Sequence, residues 1–129
     1  FSGNKTLNFE IKISKLNDLL KNSDFISLHV PSQKSFVIDK KEFDLMKSGA
    51  GLVNAARGGV INEVELVSAL DSGKLSFAGL DTFENEPKPA VQLLMHPKIS
   101  LTPHIGAATN EAQDRIGLEL AEQIIDILN

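Results

Sequence analysis

The chain has 129 residues, 42% of them hydrophobic and 23% charged, with a formal net charge of −4 and no cysteine. That make-up belongs to one globular domain with one core, and its acidic balance argues against the basic stripe that nucleic acid binding requires. No apolar run nears the ~20 residues of a bilayer span, and without cysteine neither a disulfide scaffold nor a thiolate-bound metal can form.

The first residues, Phe1-Ser2-Gly3-Asn4-Lys5, lack a charged segment followed by an apolar one, so no signal peptide is read there. A reducing, cytoplasmic setting is compatible with this. The chain does not begin with Met and both ends look abrupt, which reads as a fragment.

In chain order, a weak strand is expected over Phe9–Ile13. Ser14 can cap a short helix through Leu16, Leu19 and Leu20 that ends near Asn22. Phe25–Val30 reads as a strand stopped by Pro31, and residues 31–38 as a connector. Asp39 and Glu42 have the N-cap and N3 spacing of a capping box. The helix they open contains Phe43, Leu45 and Met46, and Gly49 suits its C′ position. Leu52–Ala56 is the next strand. Asn62 and Glu65 repeat the cap spacing before a helix with Val64, Leu66, Val67 and Leu70, closed by Gly73. Phe77–Leu80 is a strand, Glu86–Pro89 a proline-punctuated loop, Val91–Met95 a short apolar turn, and Ile99–Thr102 the last strand. A long helix over Asn110–Leu128 aligns Ala112, Ile116, Leu120, Ile124 and Leu128 on one face, a stripe suited to core or interface. Strands alternating with helices predict βαβ units, hence an α/β, Rossmann-like, doubly wound parallel sheet. The strands read as apolar runs, which fits a sheet covered by helices on both faces. No G-x-G-x-x-G phosphate loop occurs.

Three strands run straight into ionisable residues: Leu52–Ala56 into Arg57-Gly58-Gly59, Phe77–Leu80 into Asp81 and then Glu84-Asn85-Glu86-Pro87, and Ile99–Thr102 into Pro103-His104. Ligands of open parallel sheets bind outside the carboxyl ends of the strands. Arg57 can grip a carboxylate bidentately and polarise a neighbouring carbonyl, with Gly58 and Gly59 letting a ligand approach the backbone. Taken alone, it is as well explained as a surface residue in a glycine-rich turn. His104 can exchange a proton near neutral pH, and Glu86 beside it would favour the imidazolium. Singly, a backbone-bonded histidine and a solvated loop acid explain them better. Asp81 ends an apolar strand and needs a partner, from a ligand amide or from a neighbouring loop. His29 is assigned no catalytic role, His96 reads as a surface residue, and the three histidines lack metal-ligand spacing.

Together these segments resemble the D-isomer-specific 2-hydroxyacid dehydrogenase family, most closely its phosphoglycerate dehydrogenase branch, which serves serine biosynthesis. The resemblance rests on Ser23–Pro31, Met46–Ala50, Leu52–Val60, Ala69–Leu75, Ala78–Pro87, Thr102–Ala107 and Glu111-Ala112-Gln113. It implies an NAD-dependent oxidoreductase acting on a small D-2-hydroxy or 2-keto acid. Its catalytic arginine, glutamate and histidine map onto Arg57, Glu86 and His104. Its cofactor contacts map onto Val30, Ala55, Arg57, Asp81, His104, Ile105, Gly106 and Ala107, with Asp81 at the nicotinamide carboxamide or the ribose. Thr82 replaces the family's Val as a near-isosteric change. The resemblance also implies that residues 1–129 are part of an NAD-binding domain, that the Gly-rich loop and substrate domain lie elsewhere, and that the protein is a homodimer. Glyoxylate, hydroxypyruvate or D-lactate reductases and a non-enzymatic NADH sensor of the same fold share these motifs. The fragment alone is expected to be inactive and to bind NAD weakly, for want of a pyrophosphate site at a helix N-terminus.

Overall fold

A computed structural model describes residues 10–128. Its elements in order are α1 (Leu16–Asn22), β1 (Phe25–Leu28), α2 (Lys40–Leu45), β2 (Ala50–Asn54), α3 (Glu63–Asp71), β3 (Leu75–Leu80), α4 (Val91–Leu94), β4 (Ile99–Leu101) and α5 (Asn110–Leu128). The strands form one sheet in the order β1-β2-β3-β4, every neighbouring pair parallel. The predicted Rossmann-like α/β architecture is therefore what the chain adopts.

Helix caps set several boundaries. Asp39 and Glu42 form the expected capping box on α2. Asn62 accepts from the N–H groups of Val64 and Glu65 at the start of α3, and its amide donates to Asp39 at 2.8 Å, tying the two caps together. Glu65 does not complete a second box, because the Asn62 N–H donates to the Ile38 carbonyl at 2.9 Å. Gly73, at φ 76°, closes α3 as expected.

Other boundaries differ from the sequence reading. The N-cap of α1 is Lys15 rather than Ser14, and no side chain caps it. α2 ends at Met46, whose extended backbone (ψ 156°) leaves the helix. Gly49 is therefore a turn glycine (φ 81°) before β2 rather than a C′ residue. β2 and β3 both begin two residues early, and β2 stops at Asn54, because the Asn54 side chain turns the chain there. No strand occurs over residues 10–13, and Phe9 lies outside the described residues.

The sheet is not covered equally on its two faces. Ile26, Leu28, Leu52, Ala78 and Leu80 are buried with Leu20, Phe43, Leu66, Leu70 and Leu93 of α1–α4 in one core. The alternate positions are open: Phe25 is 76% exposed, Phe77 38% and Val53 37%. Among the described residues, helices cover one face only. α5 buries none of its residues, so its apolar stripe is not part of this core.

Candidate active site

The parallel register aligns Leu28, Asn54, Leu80 and Leu101 in one row at the carboxyl ends of β1–β4. Val30, Ala55, Arg57, Asp81 and His104 all follow within three residues of that row. The topology thus delivers these five candidate residues to one edge, and Glu86 joins them through its contact with His104.

Asn54 builds the turn that carries Arg57. It is 2% exposed, its carbonyl oxygen accepts from the Ala56 N–H at 3.1 Å, and its amide donates to the Arg57 carbonyl at 3.0 Å. The Arg57 side chain is exposed. Its Nη1 donates to the Ala56 carbonyl at 2.6 Å, and it forms no ion pair with another described residue. Gly58 is needed for packing within the protein rather than for ligand approach, because a Cβ there would lie 1.8 Å from the Phe83 carbonyl oxygen. Gly59 meets no such obstacle but holds φ 74°, which a side chain would strain.

Asp81 is 7% exposed. Its Oδ1 accepts from the Thr102 hydroxyl at 2.5 Å and the Ile105 N–H at 2.9 Å, and its Oδ2 accepts from the Gly106 N–H at 2.9 Å. Burial pushes the carboxyl up, but these three donors and the nearby His104 outweigh it and hold Asp81 below the usual range. Of the partners open at the sequence level, the neighbouring loop supplies three. The contacts also shape the loop. His104 sits at φ 56°, a left-handed conformation rare for a residue with a side chain, and Asp81 pins the two N–H groups that follow it.

His104 and Glu86 meet directly, Nδ1 to Oε2 at 2.7 Å. The other Glu86 oxygen accepts from the Phe83 N–H at 2.9 Å. The His104 bond is the largest of the influences that hold Glu86 below its usual range, followed by the Phe83 N–H. A carboxylate acceptor at Nδ1 fixes the proton there, so Nε2 is the nitrogen that gains and loses one. The pair is half-exposed, 44% for the His104 side chain and 35% for Glu86. The Glu86-Pro87 peptide is cis.

No hydrogen bond joins Arg57 to this pair among the described residues. Gly58, which follows Arg57, packs on the Phe83 carbonyl, and the Phe83 N–H holds Glu86. Val30 is partly buried, whereas Ala55, Ile105, Gly106 and Ala107 are exposed along the same edge. His29 bonds Ser27 at 2.9 Å. His96 is not the surface residue its loop suggested. Its side chain is 8% exposed, its Nδ1 accepts from the Lys98 N–H, and its Nε2 lies 3.3 Å from Asp71 at the end of α3.

Asn54 and Thr102 escaped the sequence reading. The signal for Asn54 is present, since an Asn ending an apolar run favours a turn held by its own side chain. Thr102 carries no such mark, because its partner is fixed only by strand pairing.

Residues 2–106 match the family model for the D-isomer specific 2-hydroxyacid dehydrogenase, NAD binding domain. A D-3-phosphoglycerate dehydrogenase of Mycobacterium leprae is 43% identical over 116 residues, 88% of this chain and 22% of that protein. A hydroxypyruvate reductase of Thermotoga maritima is 48% identical over 114 residues, 84% of this chain and 37% of that protein. A glyoxylate reductase structure from Paecilomyes thermophila superposes with a TM-score of 0.75 at 42% identity, over 81% of this chain and 33% of the other. The chain thus spans between about a fifth and about two fifths of these relatives' lengths. It belongs to the D-isomer specific 2-hydroxyacid dehydrogenases and forms part of their NAD binding domain.

Proposed function

We propose that the protein is an NAD-dependent oxidoreductase that interconverts a D-2-hydroxy acid and its 2-keto acid, with 3-phosphoglycerate the preferred substrate. The observation that carries this reading is the 2.7 Å contact between His104 Nδ1 and Glu86, which leaves Nε2 as the working nitrogen, on the strand-end edge that also holds the exposed Arg57. The phosphorylated substrate is chosen over hydroxypyruvate and glyoxylate on the resemblance to phosphoglycerate dehydrogenases.

Bound NAD supplies or accepts the hydride. The residues here fit its nicotinamide end. Among the described residues Asp81 Oδ2 accepts from Gly106 alone, and a carboxylate oxygen takes two donors, so one position remains for a carboxamide N–H. Val30, Ala55 and Ile105–Ala107 line the same edge and would present backbone to it. In the direction of reduction, Arg57 grips the substrate carboxylate through its forked N–H groups and orients the keto carbon. His104 Nε2 delivers a proton to the developing alkoxide. Glu86 holds the ring through Nδ1 and stabilises the imidazolium before transfer. In oxidation the neutral ring takes the proton from the hydroxyl.

The test is a steady-state assay of the full-length protein with NADH and a panel of 2-keto acids. 3-Phosphohydroxypyruvate should give the highest kcat/KM, and His104→Ala should lower kcat by about 10²–10⁴-fold, the usual reach of a general acid. Reduction needs a protonated ring, so activity falls as pH rises. Glu86→Gln removes the charge that favours that form, and the fall should then come at lower pH. Tight NADH binding without turnover of any panel member would overturn the enzymatic reading. An unmoved pH profile in Glu86→Gln would overturn the role given to Glu86.

A further inference from the structure

Two further acids lie beside the site without a role in the chemistry above. Glu63 is the first residue of α3 and Glu84 lies in the loop after β3. They grip each other's backbone: the Glu63 N–H donates to Glu84 Oε1 at 2.8 Å, and the Glu84 N–H donates to Glu63 Oε1 at 2.7 Å. Glu63 is 9% exposed, so this contact sits at the foot of the loop rather than at its rim.

The Phe83–Glu84 peptide is the hub of the site. Its carbonyl faces Gly58, where a Cβ would lie 1.8 Å away, and Gly58 follows Arg57. Its N–H is the one held by Glu63. One residue earlier, the Phe83 N–H holds Glu86 Oε1, and Glu86 holds His104. Two successive peptide units, joined at Phe83, thus touch the arginine turn through the Phe83 carbonyl and the glutamate–histidine pair through the Phe83 N–H.

We propose that Glu63 and Glu84 are positioning residues that lock the Phe83–Glu84 peptide to the start of α3 and thereby fix Arg57 relative to the Glu86–His104 pair. The proposal rests on the catalytic reading of those three residues. Neither acid touches substrate or cofactor in it. Their like charges are tolerated because each carboxylate accepts an N–H that would otherwise be unsatisfied: Glu63's own N–H lies in the first turn of α3, where no intrahelical acceptor exists, and a helix N-terminus favours a negative group.

The experiment compares Glu84→Ala, Glu84→Gln and Glu63→Gln with the parent in the full-length protein. Glu84→Ala removes the acceptor for the Glu63 N–H and should lower kcat/KM for the 2-keto acid by about tenfold or more, since small misplacements at a reacting centre are costly. The KM for NADH should stay unchanged, and the pH profile should move toward that of Glu86→Gln. Both glutamine variants keep the accepting oxygen and should restore most of the loss. Wild-type kcat/KM and pH profile in Glu84→Ala would overturn the proposal, as would equal losses in Glu84→Ala and Glu84→Gln. Amide hydrogen exchange at Glu63, whose N–H loses its acceptor in Glu84→Ala, and at Phe83 separates this from failure of the catalytic reading. If Arg57→Ala and Glu86→Ala prove fully active, faster exchange in Glu84→Ala still supports the lock, and unchanged exchange overturns it.

Discussion

Thr82 shows how a single residue can fit a place in shape and not in chemistry. It follows Asp81 at the end of β3, is 2% exposed, and its Oγ1 has no hydrogen-bond partner among the described residues. A resemblance by side-chain volume makes Thr for Val look neutral, but the hydroxyl makes the two unequal in a core. Leaving a buried hydroxyl unsatisfied costs about 1–3 kcal/mol. Thr82→Val should therefore raise the unfolding free energy by about 1 kcal/mol, read as a higher midpoint in denaturant with an unchanged slope. A lower midpoint would mean that the hydroxyl has a partner in solution. The same residue marks a limit of reading from sequence. That position 82 lies just past the end of a strand is legible in the apolar run before it, whereas the environment of its oxygen is decided by residues distant in the chain. Asp81 is the opposite case. Its need for partners follows from an acid closing an apolar run, and its three donors come from the loop at the end of the adjacent strand.

At the scale of elements, the strands, the capped helices α2 and α3 and the glycine closing α3 follow from local chemistry that a sequence displays: apolar runs, N-cap side chains and positive-φ glycines. What the sequence does not display is contact between elements far apart in the chain. The lock between α3 and the loop after β3 joins Glu63 to Glu84, and no spacing rule marks it. It carries a pH signature. Burial is the main influence pushing the Glu63 carboxyl up, and the charges of Glu84 and Glu86 add to it against the Glu84 N–H. Asp81 and Glu86, in the neighbouring loops, are held down. A raised acid binds more protons folded than unfolded, so its burden on stability is present at neutral pH and is relieved as pH falls toward the ordinary range near ~4.3. A depressed acid contributes stability above its ordinary range and loses it as pH falls through the lowered value. Stability should therefore rise on mild acidification from neutral and fall again below about pH 4. The rise should be smaller in Glu63→Gln, which has nothing to protonate. Thermal midpoints from pH 7.5 to 3 check this, and an identical rise in both proteins would show that Glu63 is not its source.

At the scale of the whole molecule, the four-stranded sheet has the layout of one half of a doubly wound sheet. Strand order β1-β2-β3-β4 follows chain order, and α1–α4 supply the core on a single face. Doubly wound nucleotide domains are built from two such halves that run outward from a switch point, with the phosphate-binding turn in the first half and the ligand lying across the junction. The apolar strands led to an expectation of helices on both faces, but among the described residues one face is covered, and the exposure of Phe25, Val53 and Phe77 identifies the open one. The functional edge is divided in the same way. Arg57, Asp81, Glu86 and His104 follow the carboxyl ends of β2–β4, the edge proposed for the nicotinamide, while the sequence contains no G-x-G-x-x-G turn to hold a pyrophosphate at a helix N-terminus. Most of the binding energy of a dinucleotide anion should come from that turn, because it combines several backbone N–H donors with the helix dipole. The 129-residue chain on its own should bind NADH more weakly than a Kd of about 10⁻⁴ M, and the full-length protein much more tightly. A fluorescence titration of both with NADH is decisive. Micromolar binding by the short chain would mean that the edge described here grips the cofactor without a phosphate turn, and that the nicotinamide contacts at Asp81 and Ile105–Ala107 carry far more of the affinity than this division allows.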